Sequence, residues 1–323
     1  MSRPTVRAAS IADIRAAQAR LGNVVLRSPV VPCFARDTRC EIHLKLDNLQ
    51  PTGSFKVRPV GNAVLARPAE SLRAGIYTVS SGNSALAVAY LARRLGIAAS
   101  AIVSAGAPRA KLEGLRALGA RILEVPFDAW WRAIESCGME GESGTYIDAA
   151  RDPAAIAGDG SLGIEILEQL PQVDAIFTPL GGGALACGIA CAVRALNPAV
   201  KVIACELESA QPFGAALRAG KVVTTEAHAG FVSGVGFHSL LPEMWPLAQE
   251  VIAGAMTVSL AEVAAAIGLL AERNKVIAEG AGAIPVAAAL SGRHGFRQVC
   301  AVVSGGNLDV AKLCTILAGK VPD

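Results

Sequence analysis

With 323 residues, 52% of them apolar, and 33 glycines, this chain can bury a large core and is too apolar to be disordered. Its formal net charge of +3 comes from 30 basic and 27 acidic residues spread without a basic run, and aromatics are only 4%, which argues against a nucleic-acid or polyphosphate surface. No stretch reaches the roughly 20 unbroken apolar residues of a membrane span, so a membrane is not an expected partner either.

From the N-terminus, residues 1–7 carry arginines with no apolar segment behind them, so no secretory signal is expected and the chain reads as cytoplasmic. Residues 11–21 have amphipathic helical spacing, and 42–46 read as a strand. Gln50-Pro51-Thr52-Gly53-Ser54-Phe55-Lys56 follows, a turn ending in a lysine among apolar neighbours. A poorly solvated lysine has a lowered pKa and offers a free amine for Schiff-base chemistry. A surface lysine with its stem on apolar neighbours is the alternative.

Strand 74–79 leads into Ser80-Ser81-Gly82-Asn83-Ser84-Ala85 and a helix over 84–95. Small residues at a helix start expose N–H groups to an anion such as a carboxylate. An ordinary cap by Ser81 or Asn83 explains the pattern equally well. Strand 100–104, helix 110–118 ending at Gly119, strand 121–125 and helix 129–137 come next, the last carrying Trp130, Trp131 and Arg132. A helix over 161–170, ended by Pro171, precedes strand 175–179.

Pro179-Leu180-Gly181-Gly182-Gly183-Ala184-Leu185 then joins that strand to a helix over 185–196. Three glycines let backbone wrap a phosphate at a helix start, without the spacing of a dinucleotide fold or a P-loop; a tight turn with no ligand is the alternative. Cys187 and Cys191 on that helix read as small buried hydrophobes, and the four histidines form no ligand-spaced cluster, so a zinc site is not expected. Strand 202–206, helix 260–273 and strand 298–303 complete the pattern, with Ser304-Gly305-Gly306-Asn307 at the last strand's end. Repeated strand–helix units predict an α/β fold with a mainly parallel sheet flanked by helices.

Taken together, Gly53-Ser54-Phe55-Lys56, Ser81-Gly82-Asn83, Gly181-Gly182-Gly183, Glu279-Gly280-Ala281-Gly282 and Ser304-Gly305-Gly306-Asn307 resemble the threonine dehydratase / serine racemase family. These are fold-type II pyridoxal phosphate (PLP) enzymes, related to the tryptophan synthase β chain, and the resemblance spans about residues 10–315. It implies two domains, a large one from 1–64 and 148–323 and a small mobile one from 65–147. It implies that Lys56 holds PLP as a Schiff base and later acts as base at the substrate Cα. Asn83 would bind the cofactor's 3-hydroxyl, while Gly181, Gly182, Gly183, Ala184 and Leu185 would hold its phosphate. Ser304 would face the pyridine nitrogen, with Glu279 near the ring. Ser81, Gly82, Asn83, Ser84 and Ala85 would hold the substrate carboxylate.

A serine hydroxyl does not stabilise full positive charge on the ring nitrogen, which favours β-elimination over transamination. The expected activity is therefore an ammonia-lyase (dehydratase) acting on threonine, serine or a phenylserine or hydroxyaspartate relative. Racemisation with Ser81 as a second acid/base is an alternative, and a catalytically silent PLP-binding protein a further one. The chain departs from the family at Ser84-Ala85, where histidine is common, at Ala184, the last of four usual glycines, and at Pro59. Glu206 and the Ala210 carbonyl match a divalent-cation site seen in some members, with Pro212 where another acid is expected and Glu208 a substitute. A homodimer or homotetramer is implied, without the C-terminal regulatory domain of biosynthetic members.

Overall fold

Ser10 opens helix α1 (Ile11–Leu21) through a capping box, its hydroxyl accepting from the Asp13 N–H while the Asp13 carboxylate accepts from the Ser10 N–H. The computed structural model describes residues 6–35, 38–107 and 109–323; residues 1–5 of the stretch read for a targeting signal lie outside them. After α1 come β1 (Val30–Pro32), β2 (Glu41–Leu46), α2 (Val57–Leu65), β3 (Ile76–Val79), α3 (Asn83–Leu95) and β4 (Ala99–Ser104). They are followed by α4 (Arg109–Ala117), β5 (Arg121–Val125), α5 (Phe127–Glu135), β6 (Thr145–Tyr146), α6 (Pro153–Gln169), β7 (Ala175–Pro179) and α7 (Ala184–Leu196). The rest is β8 (Lys201–Leu207), α8 (Pro212–Ala219), α9 (Trp245–Val251), β9 (Gly254–Val258), α10 (Leu260–Leu269), α11 (Gly280–Leu290), β10 (Gln298–Val303) and α12 (Val310–Leu317).

The strands form two sheets, β1-β2-β10-β7-β8-β9 and β5-β4-β3-β6, parallel throughout except for the β1–β2 pair. The expected α/β architecture is the one adopted, and all seven expected strands are present. Parallel strands end on the same side, so β2, β7 and β10 release the lysine segment, the triple glycine and the serine turn at one edge of the large sheet.

Two differences from the sequence expectation bear on the site. Helix α6 starts at Pro153, not at 161, with Asp152 accepting from the Ala154 N–H as its cap. The glycines at 158, 160 and 163 that disguise it are close-approach points: a Cβ on Gly158 would meet the Arg58 carbonyl at 2.6 Å, and one on Gly163 the Ile189 carbonyl at 2.9 Å. Helix α2 was also unforeseen, because Pro59 sits in it. As the third helical residue Pro59 lacks an N–H that has no partner within the helix anyway.

Candidate active site

The lysine segment and the serine turn are stitched to each other. Phe55 N–H donates to the Ser304 carbonyl at 2.8 Å, Gly306 N–H to the Gly53 carbonyl at 2.9 Å, and Ser54 bridges Gly305. Gly53, at φ +70°, leaves no room for a side chain, since a Cβ there would run into the Asn307 amide. Asn307 donates to the Thr52 carbonyl at 2.9 Å and to Asn83 Oδ1 at 2.8 Å. Asn83 Nδ2 donates to Glu279 Oε1 at 2.7 Å, and Glu279 N–H donates to the Gly305 carbonyl at 2.9 Å. Lys56, Asn83, Glu279 and Ser304, far apart in sequence, thus belong to one connected group. Asn307, part of the serine-turn motif but given no role from sequence, is the joint between three of its segments.

Lys56 immediately precedes α2, with its amine 4.7 Å from the centre of the Phe55 ring. Burial pushes the amine's pKa down, and the carboxylates of Asp159, Asp148 and Glu279 pull against that without reversing it. The result is an amine more readily neutral than an ordinary lysine's.

At the start of α3, Ser80 Oγ accepts from the Gly82 N–H at 3.1 Å. Gly82, and neither Ser81 nor Asn83, occupies the cap position, and no side chain caps the helix. The positive end of the dipole is therefore left for an external anion. Ser81, Gly82, Asn83 and Ser84 are half-buried around that end, while the Ala85 methyl is buried among Ala101, Val103 and Leu115.

Helix α7 likewise begins at an uncapped glycine, Gly183, whose φ of +95° suits glycine. A Cβ on Gly181 would collide with the Gly234 carbonyl, and one on Gly183 would lie 2.8 Å from Met244 Cγ. At Gly182 the nearest atoms are Ala150 Cβ at 3.6 Å and Leu241 Cδ1 at 3.9 Å, an ordinary fit. Ala184 and Leu185 are buried in the first turn of α7. Two uncapped helix starts, a depressed lysine and the Ser304 turn fit a phosphorylated aldehyde cofactor and a carboxylate substrate, the first by backbone N–H groups alone at Gly181–Ala184.

Beneath the lysine lies a buried ion network that sequence reading missed. Arg58 Nε and Nη2 donate to Asp47 at 2.7 and 2.9 Å, and Nη1 and Nη2 donate to Glu165 at 2.7 and 3.0 Å. Lys45 Nζ donates to Glu165, Gln169 and the Ser28 carbonyl, each at 2.7 Å. Two cations and two carboxylates balance, and Ser28 and Gln50 also donate to Asp47. Burial pushes the Asp47 carboxyl up, yet Arg58 and these donors hold it below its ordinary value.

Glu206, which the resemblance matches to a divalent-cation site, makes hydrogen bonds within the chain. It is buried at the end of β8 and accepts from the Phe213 and Gly214 N–H groups at 2.9 and 2.8 Å, capping α8. Ala210 bridges back to Leu207, Glu208 is exposed, and no group of three His, Cys, Asp or Glu able to hold a metal occurs among the described residues. Burial pushes the Glu206 pKa up to about 7, against the two backbone donors. The folded chain therefore holds this proton more tightly than the unfolded chain. The stabilisation it brings is full below about pH 4.5 and is lost as pH rises toward 7. Glu206→Gln is expected to flatten the fall in unfolding free energy between pH 5 and 8, read from urea titrations, by on the order of 2 kcal/mol, while lowering stability at pH 5 through the lost acceptor. A wild-type slope retained in the variant would assign the pH dependence elsewhere.

Trp131 is 44% exposed, stacks on Phe127 and donates to Glu135 at 3.0 Å, and Arg132 is exposed. Trp130 packs beside Tyr77, Val79 and Ile102. These contacts are those of helix packing and a solvated face.

The family described as pyridoxal-phosphate dependent enzyme matches residues 23–305. The chain is 34% identical over 317 residues to an L-threonine ammonia-lyase of Thermotoga maritima, covering 95% of this chain and 78% of that one. It is 31% identical to the catabolic L-threonine dehydratase of Escherichia coli (strain K12), covering 95% of each. The solved structure of maize serine racemase superimposes with a TM-score of 0.88 at 29% identity, covering 97% of this chain and 98% of that one.

Proposed function

Because the chain belongs to the pyridoxal-phosphate dependent enzyme family, we propose that it eliminates water from a small β-hydroxy amino acid of the threonine or serine type, the released enamine then taking up water to give a 2-oxo acid and ammonium. The observation that carries this reading is the stitching of the Lys56 segment to the Ser304 turn beside two uncapped helix starts. Pyridoxal 5'-phosphate, when bound, supplies an electron-withdrawing ring that eases loss of the Cα proton and the β-hydroxyl.

The chain's own residues do the rest. Lys56 holds the cofactor through Nζ and, once freed, takes the α-proton on that atom. The Gly181–Ala184 N–H groups and the α7 dipole hold the phosphate, Asn83 the 3-hydroxyl, and Ser304 the ring nitrogen. Ser81 through Ala85, at the α3 dipole, orient the substrate carboxylate. Glu279 keeps Asn83 in position through their 2.7 Å hydrogen bond.

Residues 65–147 are proposed as a smaller domain that closes over the substrate against the unit formed by 1–64 and 148–323. In support, every strand of the second sheet falls between residues 76 and 146, and Asn83 reaches across to Glu279 and Asn307. No helix among the described residues is long and apolar enough to cross a membrane; a cytoplasmic homodimer or homotetramer completes the proposal.

The test is turnover of L-threonine, L-serine, phenylserine and hydroxyaspartate isomers, with 2-oxo acid, ammonium and D-enantiomer all measured. Oxo acid and ammonium in equal amounts support the dehydratase. D-enantiomer without ammonium makes the chain a racemase, and cofactor binding without any turnover makes it a silent binder. A separate check addresses the phosphate loop. Gly182→Ala is expected to retain the cofactor, since a Cβ fits there, whereas Gly182→Asp sets a carboxylate at the uncapped α7 start and weakens retention about tenfold or more. Equal retention in both variants, followed by absorbance after dialysis, would move the phosphate elsewhere.

A further inference from the structure

Beside the triple glycine stands a large apolar side chain that has no part in the proposed reaction. Phe237 is 43% exposed, and its Cε2 lies 3.3 Å from where a Cβ on Gly181 would be. A single exposed apolar side chain calls for no explanation. This one is held out by a built loop. Before it, the Gly234 carbonyl rests against Gly181, Gly234 and Gly236 take φ of +85° and +82°, and Val235 between them is buried in the core. After it, the Thr225 N–H and hydroxyl donate to the His238 carbonyl at 2.8 and 3.1 Å, and His238 Nδ1 lies 3.2 Å from the Thr225 carbonyl. The backbone is thus pinned on both sides of Phe237 while the ring stays outside the core.

The same apolar wall continues over Gly182, where a Cβ would lie 3.6 Å from Ala150 Cβ and 3.9 Å from Leu241 Cδ1. Ala150 and Leu241 are half-buried, and Asp148 Oδ1 accepts from the Ala150 N–H at 2.8 Å. The cation next in sequence is turned to other partners: the Arg151 guanidinium donates to Glu243 at 2.5 Å and to Asp148 Oδ2 at 3.0 Å. The side chains that meet these two glycines, Phe237, Ala150 and Leu241, are therefore all apolar.

Cofactor chemistry directs the substrate at this wall. On pyridoxal 5'-phosphate the aldehyde carbon sits between the 3-hydroxyl and the arm that bears the phosphate. In the proposed site the 3-hydroxyl and the substrate carboxylate go to the start of α3, and the phosphate goes to the start of α7. With the carboxylate on the α3 side and the α-proton facing Lys56, the remaining substituent of Cα points toward α7, where Phe237, Ala150 and Leu241 stand. We propose that Phe237 is a specificity-determining residue whose ring, with Leu241 and Ala150, packs on the substrate's β-substituent, so that the site prefers a methyl or phenyl group there over hydrogen, and hydrogen over a carboxylate. This rests on the functional reading above and narrows its substrate class to threonine and phenylserine, ahead of serine and hydroxyaspartate. A methyl group against an apolar wall is worth about tenfold in specificity. A second carboxylate would lose water beside the phosphate, with Arg151 already paired.

The test compares the holoenzyme as wild type, Phe237→Ala and Phe237→Leu. The ratio of kcat/KM for L-threonine to that for L-serine should fall about tenfold in Phe237→Ala and be largely kept in Phe237→Leu. A second readout needs no turnover. L-2-Aminobutyrate and L-alanine differ by the same methyl group and lack the hydroxyl that leaves, so their dissociation constants are read from the change in cofactor absorption. Their affinity ratio should fall by a similar factor in Phe237→Ala. Each ratio compares two ligands on one protein, so a poorly folding variant still gives an answer. Either ratio unchanged, or a wild-type preference for hydroxyaspartate, overturns the proposal. Loss of cofactor from Phe237→Ala on dialysis overturns it too, since the ring is then a prop for the phosphate loop. Absence of turnover of all four β-hydroxy amino acids by the wild type overturns the functional reading instead, and the affinity ratio still decides the role of Phe237.

Discussion

Lys56→Ala is expected to leave a folded chain that holds no cofactor covalently and has lost its turnover. The side chain contributes little to packing: it is half-buried and immediately precedes α2, and the amine faces the Phe55 ring. The stitching of its segment to the serine turn uses backbone groups of Gly53, Phe55, Ser304 and Gly306, which the substitution does not touch. Function is different, because two tasks fall on one nitrogen. Removing the base alone costs roughly 100- to 10,000-fold in rate, and removing the covalent attachment adds to that. The visible absorption band of the bound cofactor should vanish, with the urea midpoint near that of the wild-type chain without cofactor. If the band survives and the trapped label maps to another lysine, the assignment of Lys56 is wrong.

How much of this was legible beforehand depended on what kind of signal each part leaves. Strands β5, β7 and β10 could be read to the residue, because fully or half-buried parallel strands are short apolar runs between turns. The lysine, glycine and serine motifs were legible because their residue types are demanded by chemistry or by φ: Gly53 and Gly183 sit at +70° and +95°. The helices α2 and α11 were not, since nearly every residue of each is buried and each contains a proline, Pro59 and Pro285. Asp159 was invisible for a related reason. Its glycine neighbours made 158–160 look like a loop, when they are the points at which α6 touches α2 and α7. Glu206 is a different case: a carboxylate at a strand end followed by a helix start suits either a cation or a cap, and in the structure it accepts from the N–H groups of Phe213 and Gly214.

Asp47→Ala is expected to destabilise the chain by about 3–5 kcal/mol, the cost of breaking a buried ion pair from one side. Asp47 and Arg58 are both fully buried, and the guanidinium spends Nε and one Nη2 bond on Asp47. Deleting the carboxylate leaves three charged groups, Lys45, Arg58 and Glu165, where four had balanced, so an uncompensated positive charge stays where water does not reach. The consequence should extend to the site, because Arg58 is only two residues beyond Lys56 and fastens the first turn of α2 to α6 through Glu165 and Ser161. A loosened first turn lets the lysine wander from the Ser304 turn, so cofactor affinity should fall together with the urea midpoint. A substitution that removes the imbalance along with the pair separates the two effects: Asp47→Leu with Arg58→Met, apolar at both ends, should recover much of the stability but not the cofactor affinity. If Asp47→Ala unfolds at the wild-type midpoint, the network is not what holds the lysine's helix in place.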